Sequence, residues 1–205
     1  MHADIDRILV PKDEIAARVA QLGQQIAADL LADLAADQAS AQTSDRTSVG
    51  PANAAAGGDG RVVIIPVLTG ALIFASDLIR QLPIKLSLRM VAISSYPGKS
   101  MESKGVKLAS ELPHDLAGKH VLIIDDILDS GQTLGVVREL IERQGPATCR
   151  CAVLLRKPES KRIRPVEVEY VGFDIPESFV VGYGLDYDGY YRNYPAIATL
   201  RTDVL

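Results

Sequence analysis

From Arg61 onward, short apolar runs rich in branched residues alternate with stretches of helical period, and this alternation leaves the chain few architectures. Arg61–Leu68, Leu86–Ser95, Val121–Leu128, Thr148–Arg156 and Val168–Phe173 read as strands, and Gly70–Gln81 and Gly131–Gln144 as helices. Runs that are apolar at nearly every position belong to strands covered on both faces. The spacing therefore predicts an α/β fold, a doubly wound and mainly parallel sheet flanked by helices. Ligands of such sheets bind beyond the carboxyl ends of the strands. The loops after Leu68, Ser95, Leu128 and Arg156 are thus the places to search, and Ser178–Gly182 begins a mixed tail.

The first third of the chain is different. Ile15, Val19, Leu22, Ile26, Leu30 and Leu34 recur at spacings of three and four, so residues 12–37 read as a packing helix with Pro11 as its start signal. Residues 38–60 are dominated by Gln, Ala, Ser, Thr and Gly, and this composition predicts a flexible low-complexity insert. At 205 residues the chain is expected to form one domain over residues 1–205. A net charge of −4 argues against a dominant nucleic-acid surface or an acidic-membrane surface. Apolar runs stay far below the roughly 20 residues of a membrane span. The opening residues carry acids where a secretory signal carries bases, so a soluble cytoplasmic protein is expected. Cys149 and Cys151 are two apart on a predicted strand, poor disulfide geometry, and read as buried reduced thiols. His2, His114 and His120 show no metal-binding spacing.

The chemistry concentrates in His120-Val-Leu-Ile-Ile-Asp-Asp-Ile-Leu-Asp-Ser-Gly-Gln-Thr133. A buried strand runs out into Asp125 and Asp126, Asp129 follows, and a small-residue turn opens a helix. Ser130, Gly131, Gln132 and Thr133 would present backbone N–H groups and hydroxyls at a helix N-terminus, a cradle for phosphate. Asp125 and Asp126 suit ribose hydroxyls, directly or through a divalent ion. Other readings compete. Asp129 could serve only as a helix N-cap. A Walker A loop lacks its first glycine here, and Gln132 replaces its lysine. A receiver domain would need about four more strand–helix units after this point, where about 85 residues remain.

Residues 121–133 resemble the phosphoribosyl-pyrophosphate (PRPP) binding signature of type I phosphoribosyltransferases. The tail Tyr170-Val-Gly-Phe-Asp-Ile-Pro-Glu-Ser-Phe-Val-Val-Gly-Tyr-Gly-Leu-Asp-Tyr-Asp-Gly-Tyr-Tyr-Arg192 is similar to the hypoxanthine phosphoribosyltransferase branch. Leu68-Thr69-Gly70, Ser95-Tyr96 and Leu154–Lys157 fall where that branch carries its other site segments. The resemblance implies the type I phosphoribosyltransferase fold, with a small hood built from the N- and C-terminal segments. It also implies a purine salvage enzyme using Mg2+, PRPP and a 6-oxopurine, hypoxanthine or guanine, releasing pyrophosphate, and forming a homodimer or homotetramer.

Carried over by position, it implies that Asp125 and Asp126 hold the ribose hydroxyls through magnesium or directly. Asp129 is then the general base near purine N7, and Ser130, Gly131, Gln132 and Thr133 bind the 5′-phosphate. Leu68, Thr69 and Gly70 form the pyrophosphate loop, whose first peptide is often cis in this family. Arg192 binds pyrophosphate, and Asp186 lies on the purine side with a second magnesium. Lys157 donates to the purine 6-oxygen, Phe179 stacks on the base, and Val180 meets it through its backbone. Ser95 and Tyr96 open a mobile closing loop over residues 95–107, which departs from the family pattern at Pro97, Met101 and Glu102. Thr69 stands where lysine is frequent and Gln132 where a basic residue is frequent, departures that bear on rate and affinity. A donor facing position 6 would be left unpaired by adenine, which penalises that base. The competing function is a nucleotide-sensing, RNA-binding regulator of the same fold. For it the chain offers one cluster of cations, Arg156–Arg164.

Overall fold

The computed structural model describes residues 1–44, 60–94, 107–108 and 110–204. Its centre is a seven-stranded sheet made of β2 (Val62–Leu68), β3 (Ser87–Leu88), β4 (Val91–Ser94), β5 (Lys107–Leu108), β6 (His120–Leu128), β7 (Thr148–Arg156) and β8 (Tyr170–Asp174). The spatial order is β5-β4-β2-β6-β7-β8, with β3 also on β2, and every pairing is parallel except β4 with β5. The chain builds outward from β2 to β4 and then returns to β6. The point where strand order reverses lies between β2 and β6.

Alternation along the strands fills two cores. Val62 and Ile64, Leu122 and Ile124, Ala152 and Leu154 face α1 (Lys12–Ser44) and α2 (Leu72–Ile79). Val63 and Ile65, Val121 and Ile123, Cys151 and Val153 face α3 (Gln132–Glu142) through Leu134, Val137 and Ile141. Each Val, Leu or Ile among them contributes about 1.5–3 kcal/mol when fully buried, so this double coverage dominates the stability.

Three departures from the sequence-based expectation have physical causes. The expected strand Leu86–Ser95 is two strands, β3 and β4. Arg89 N–H still donates to the Ile64 carbonyl (2.9 Å), but the next donor on that edge of β2 would be Pro66, which has no N–H. Pairing resumes at Val67 with Val91. Secondly, residues 38–44, expected in a flexible insert, continue α1. Asp29, Asp33 and Asp37 repeat every four residues and fasten this end of the helix to the sheet. Asp29 accepts from the Tyr170 hydroxyl (2.6 Å), Asp33 is bidentate with Arg150 (2.5 and 3.1 Å), and Asp37 pairs with Arg61 and with buried His120 (3.1 Å). Beyond that anchor the Ala- and Gln-rich run needs only good helix propensity to extend. Residues 45–59 lie outside the described residues. Thirdly, Lys107, expected to end the closing loop, begins β5 and is paired with Ser94. The rest of that loop, 95–106, lies outside the described residues, including Ser95 and Tyr96.

The N- and C-terminal segments form the expected hood. β1 (Ile5–Val10) pairs antiparallel with β9 (Ile197–Leu200), and Val181 bridges to Ala198. Neither β1 nor β9 was picked out as a strand from the sequence. Both are short, and β1 interleaves Asp6 and Arg7 with its apolar residues. Among the described residues no helix is long and apolar enough to cross a membrane.

Candidate active site

A cleft of about 220 Å³ opens where the strand order reverses, between the carboxyl ends of β2 and β6. Leu68 and Gly70 line one wall and Asp125, Asp126, Asp129, Ser130, Gly131 and Thr133 the other. The sequence motif is therefore assembled in one place. The Leu68–Thr69 peptide is cis, and Thr69 then accepts a hydrogen bond from Leu72 N–H (3.2 Å) as the chain turns into α2.

On the opposite wall the turn 129–131 stops β6 and starts α3 within three residues. Gly131 makes this reversal with a φ of +78°, and a Cβ there would sit 2.2 Å from the Arg164 carbonyl oxygen, so only glycine fits. Gly131 is also the N-cap of α3, and no side chain caps that helix. Asp129 is thus not the helix cap that an aspartate at this position suggests. Its carboxylate instead pairs with Lys157 Nζ at 2.9 Å, across the ends of β6 and β7. Gln132 N–H approaches Ser130 Oγ (3.4 Å), and Thr133 and Leu134 from the first turn of α3 line the cleft.

Asp125 and Asp126 lie at the end of β6, backed by the core. Asp126 N–H donates to Asp125 Oδ1 (3.0 Å), and Ile127 N–H to Asp126 Oδ1 (2.9 Å). Burial pushes the Asp125 carboxyl well above the usual carboxylate range, and the charge of Asp126 adds to the shift. Burial also raises Asp126, against the Asp125 hydrogen bond, its backbone donors and the Arg192 charge. Gly70 is tightly apposed, since a Cβ on it would sit 1.8 Å from Asp126 Oδ2. Two adjacent hard-oxygen ligands, short of positive charge, suit a divalent cation such as magnesium. Among the described residues no group of three or more His, Cys, Asp and Glu side chains is arranged to hold a metal.

The tail closes the site from above. Gly184 rides against the Gly70 carbonyl, and Arg192 donates to the Gly184 carbonyl (2.6 Å) and pairs with Asp186 (2.7 Å). Asp186 also accepts from Gly189 N–H (2.8 Å). Phe179, nearly half exposed, stands edge-on to Tyr187 at 5.5 Å, and Val180 is buried beside it in the chain. Lys157, Phe179, Val180, Asp186 and Arg192 are not part of the cleft wall itself. They reach it through Asp129 in the case of Lys157 and through the tail for the rest.

The cation cluster 156–164 is spent internally. Arg156 is bidentate with Asp174 (2.6 and 3.0 Å), Lys157 holds Asp129, Lys161 holds Glu177 (2.6 Å), and Arg164 pairs with Glu139. Arg162 donates to three backbone carbonyls. Four of its five cations are thus paired with carboxylates, and nothing in this cluster favours the regulator reading. It also exposes residues that the motifs did not mark. Arg162 to Arg164 run behind the phosphate turn, and their only sequence signal is five cations crowded into nine positions of an acidic chain.

Residues 24–188 match the profile of the phosphoribosyl transferase domain family. The hypoxanthine-guanine phosphoribosyltransferase of Mycobacterium tuberculosis is 38% identical over 197 residues, covering 96% of this chain and 87% of that one. The hypoxanthine phosphoribosyltransferase of Escherichia coli is 34% identical over 190 residues, covering 93% and 92%. The crystal structure of a Staphylococcus aureus hypoxanthine phosphoribosyltransferase superposes with a TM-score of 0.80 at 33% identity, over all of this chain and 96% of that one. A type I fold, an acid-lined cleft at the strand-order reversal and relatives matched along nearly their whole length converge: the chain belongs to the phosphoribosyltransferase family, in its hypoxanthine(-guanine) phosphoribosyltransferase branch.

Proposed function

We infer that this protein is a purine salvage enzyme that transfers 5-phosphoribosyl from PRPP to a 6-oxopurine, hypoxanthine or guanine, and releases pyrophosphate. The observation that carries the reading is the Asp129–Lys157 pair, 2.9 Å apart beside the phosphate turn. In a 6-oxopurine, N7–H and O6 are neighbours on one edge, a donor beside an acceptor. A carboxylate and an ammonium held side by side match that edge in order. Adenine offers an amino group at position 6 and leaves the ammonium without an acceptor.

In the reaction N9 of the base forms the bond to C1′ while the C1′–oxygen bond to pyrophosphate breaks. Asp129 takes the N7 proton as positive charge grows on the ring, and Lys157 turns from Asp129 to O6. Ser130, Gly131, Gln132 and Thr133 hold the 5′-phosphate. Leu68, Thr69, Gly70 and Arg192 receive the leaving pyrophosphate. Asp125 and Asp126 would hold magnesium and the ribose hydroxyls, and Asp186 would serve a second ion. The chemistry magnesium would supply there, when bound, is neutralisation of charge on the pyrophosphate oxygens. Phe179 supplies a stacking face and Val180 backbone contacts to the base, and Ser95 and Tyr96 belong to the segment that covers the centre.

Exposed Leu72, Leu88 and Met90 supply apolar surface for a homodimer or homotetramer. Two free thiols, Cys149 and Cys151, suit a reducing cytoplasm. The test is a panel of hypoxanthine, guanine, xanthine, adenine and uracil with PRPP and magnesium. Turnover of hypoxanthine or guanine, with adenine and uracil poor, is expected. Preference for adenine or uracil, or no turnover of any 6-oxopurine, overturns the reading.

A further inference from the structure

We propose that Arg162 is a positioning residue for the transfer, locking the purine-reading pair and the phosphate turn into one rigid unit. The inference rests on the function proposed above. β6 and β7 run in register as far as Leu128 with Arg156, and the last rung between them is Lys157 N–H to the Leu128 carbonyl (3.0 Å). Beyond it the two chains carry Asp129 and Lys157, whose separation decides whether N7–H and O6 are met together. One guanidinium spans that gap. Arg162 Nη1 donates to the carbonyls of Leu128 (3.2 Å) and Asp129 (2.9 Å), and Nη2 to the carbonyl of Lys157 (3.2 Å). A planar fork with several fixed N–H directions can do this, whereas a lysine ammonium is a point donor on a flexible stem.

The same segment is registered against the phosphate turn. The N–H groups of Ile163 and Arg164 both donate to the Ser130 carbonyl (2.9 and 3.1 Å), turning that peptide's oxygen away from the cleft. The Arg164 stem lies over Gly135, where a Cβ would come within 2.7 Å of it, and its guanidinium pairs with Glu139. Arg164 therefore fastens the strap to α3, while Arg162 fixes the residues that touch substrate. Arg162 is itself absent from the cleft wall. Among the described residues its guanidinium is engaged by backbone carbonyls and not by a carboxylate.

The test compares wild type, Arg162→Ala, Arg162→Lys and Arg150→Ala as full-length enzymes, measuring melting temperature, kcat, and KM for PRPP and hypoxanthine. Misplacement of reacting groups by about 1 Å costs on the order of 10²-fold, so Arg162→Ala should lose about that much kcat while still folded. Arg162→Lys, which keeps the charge but not the fork, should retain only part of the rate. Millimolar guanidinium should restore part of the rate to Arg162→Ala, which a merely structural loss would not allow. Arg150→Ala, which removes the bidentate pair with Asp33 away from the site, should lower the melting temperature and keep kcat. A folded Arg162→Ala with wild-type kcat overturns the proposal, and if that variant does not fold, wild-type kcat in Arg162→Lys does so. Failure of the wild type itself to use PRPP and hypoxanthine would remove the functional reading, and the positioning role with it.

Discussion

Replacing Asp129 with asparagine separates chemistry from architecture at this site. The substitution keeps the shape and an acceptor oxygen for Lys157 Nζ, now 2.9 Å from the carboxylate, but abolishes the capacity to take a proton. The lost ion pair is half at the surface, with side-chain exposures of 49% for Asp129 and 14% for Lys157. Pairs of this kind contribute about 0.2–1 kcal/mol. In a domain of this length that corresponds to a melting shift of about 4 °C or less. α3 should be unaffected, because its N-cap is Gly131. The rate is another matter. Loss of a general base costs about 10²–10⁴-fold, or about 3–5 kcal/mol of barrier, several times the effect on folding. Initial rates with magnesium, PRPP and hypoxanthine, set beside a thermal melt of the same sample, give both numbers. A kcat close to wild type would refute the assignment, and a large melting loss with normal turnover would return Asp129 to a structural role.

Lys157→Ala should lower kcat/KM for hypoxanthine by roughly 10–100-fold, the worth of a charged donor, and leave KM for PRPP nearly unchanged. An equal loss on both substrates would show that the lysine does not serve the base alone. Asp125→Asn should stabilise the metal-free protein at neutral pH by about 1 kcal/mol while abolishing turnover. Because the folded-state pKa of Asp125 is raised, the stability linked to its protonated form is present in acid and lost as pH rises through that value. The gain in melting temperature should therefore shrink toward acid pH, and a pH-independent gain would refute the cause. Asp37→Ala strips partners from Arg61 and from buried His120, and should cost about 1–3 kcal/mol in a denaturant titration without changing kcat. An unchanged midpoint would show that the acidic stripe of α1 does not hold the sheet.

The sequence by itself determined the parts whose causes are local. Unbroken apolar runs and period-3.6 patterns placed β2, β6, β7, β8, α2 and α3 to within a few residues, because a sheet covered on both faces demands unbroken apolar strands. The run from Asp125 to Thr133 also announced the tight turn from β6 into α3, since acids and small residues between an apolar strand and a helical period mark where the strand ends. Tertiary structure decided what depends on distant partners. Residues 38–44 are helical because Asp37, one turn earlier, is anchored by Arg61 and His120, whereas composition alone had made them a loop. β1 and β9 exist because each offers the other an edge across nearly the whole chain, a pairing that no local pattern encodes. Asp129 left the role of a helix cap for that of a partner to Lys157, 28 residues away. The strap of Arg162 was invisible for the same reason, because its acceptors are backbone carbonyls, and a carbonyl has no letter in the sequence.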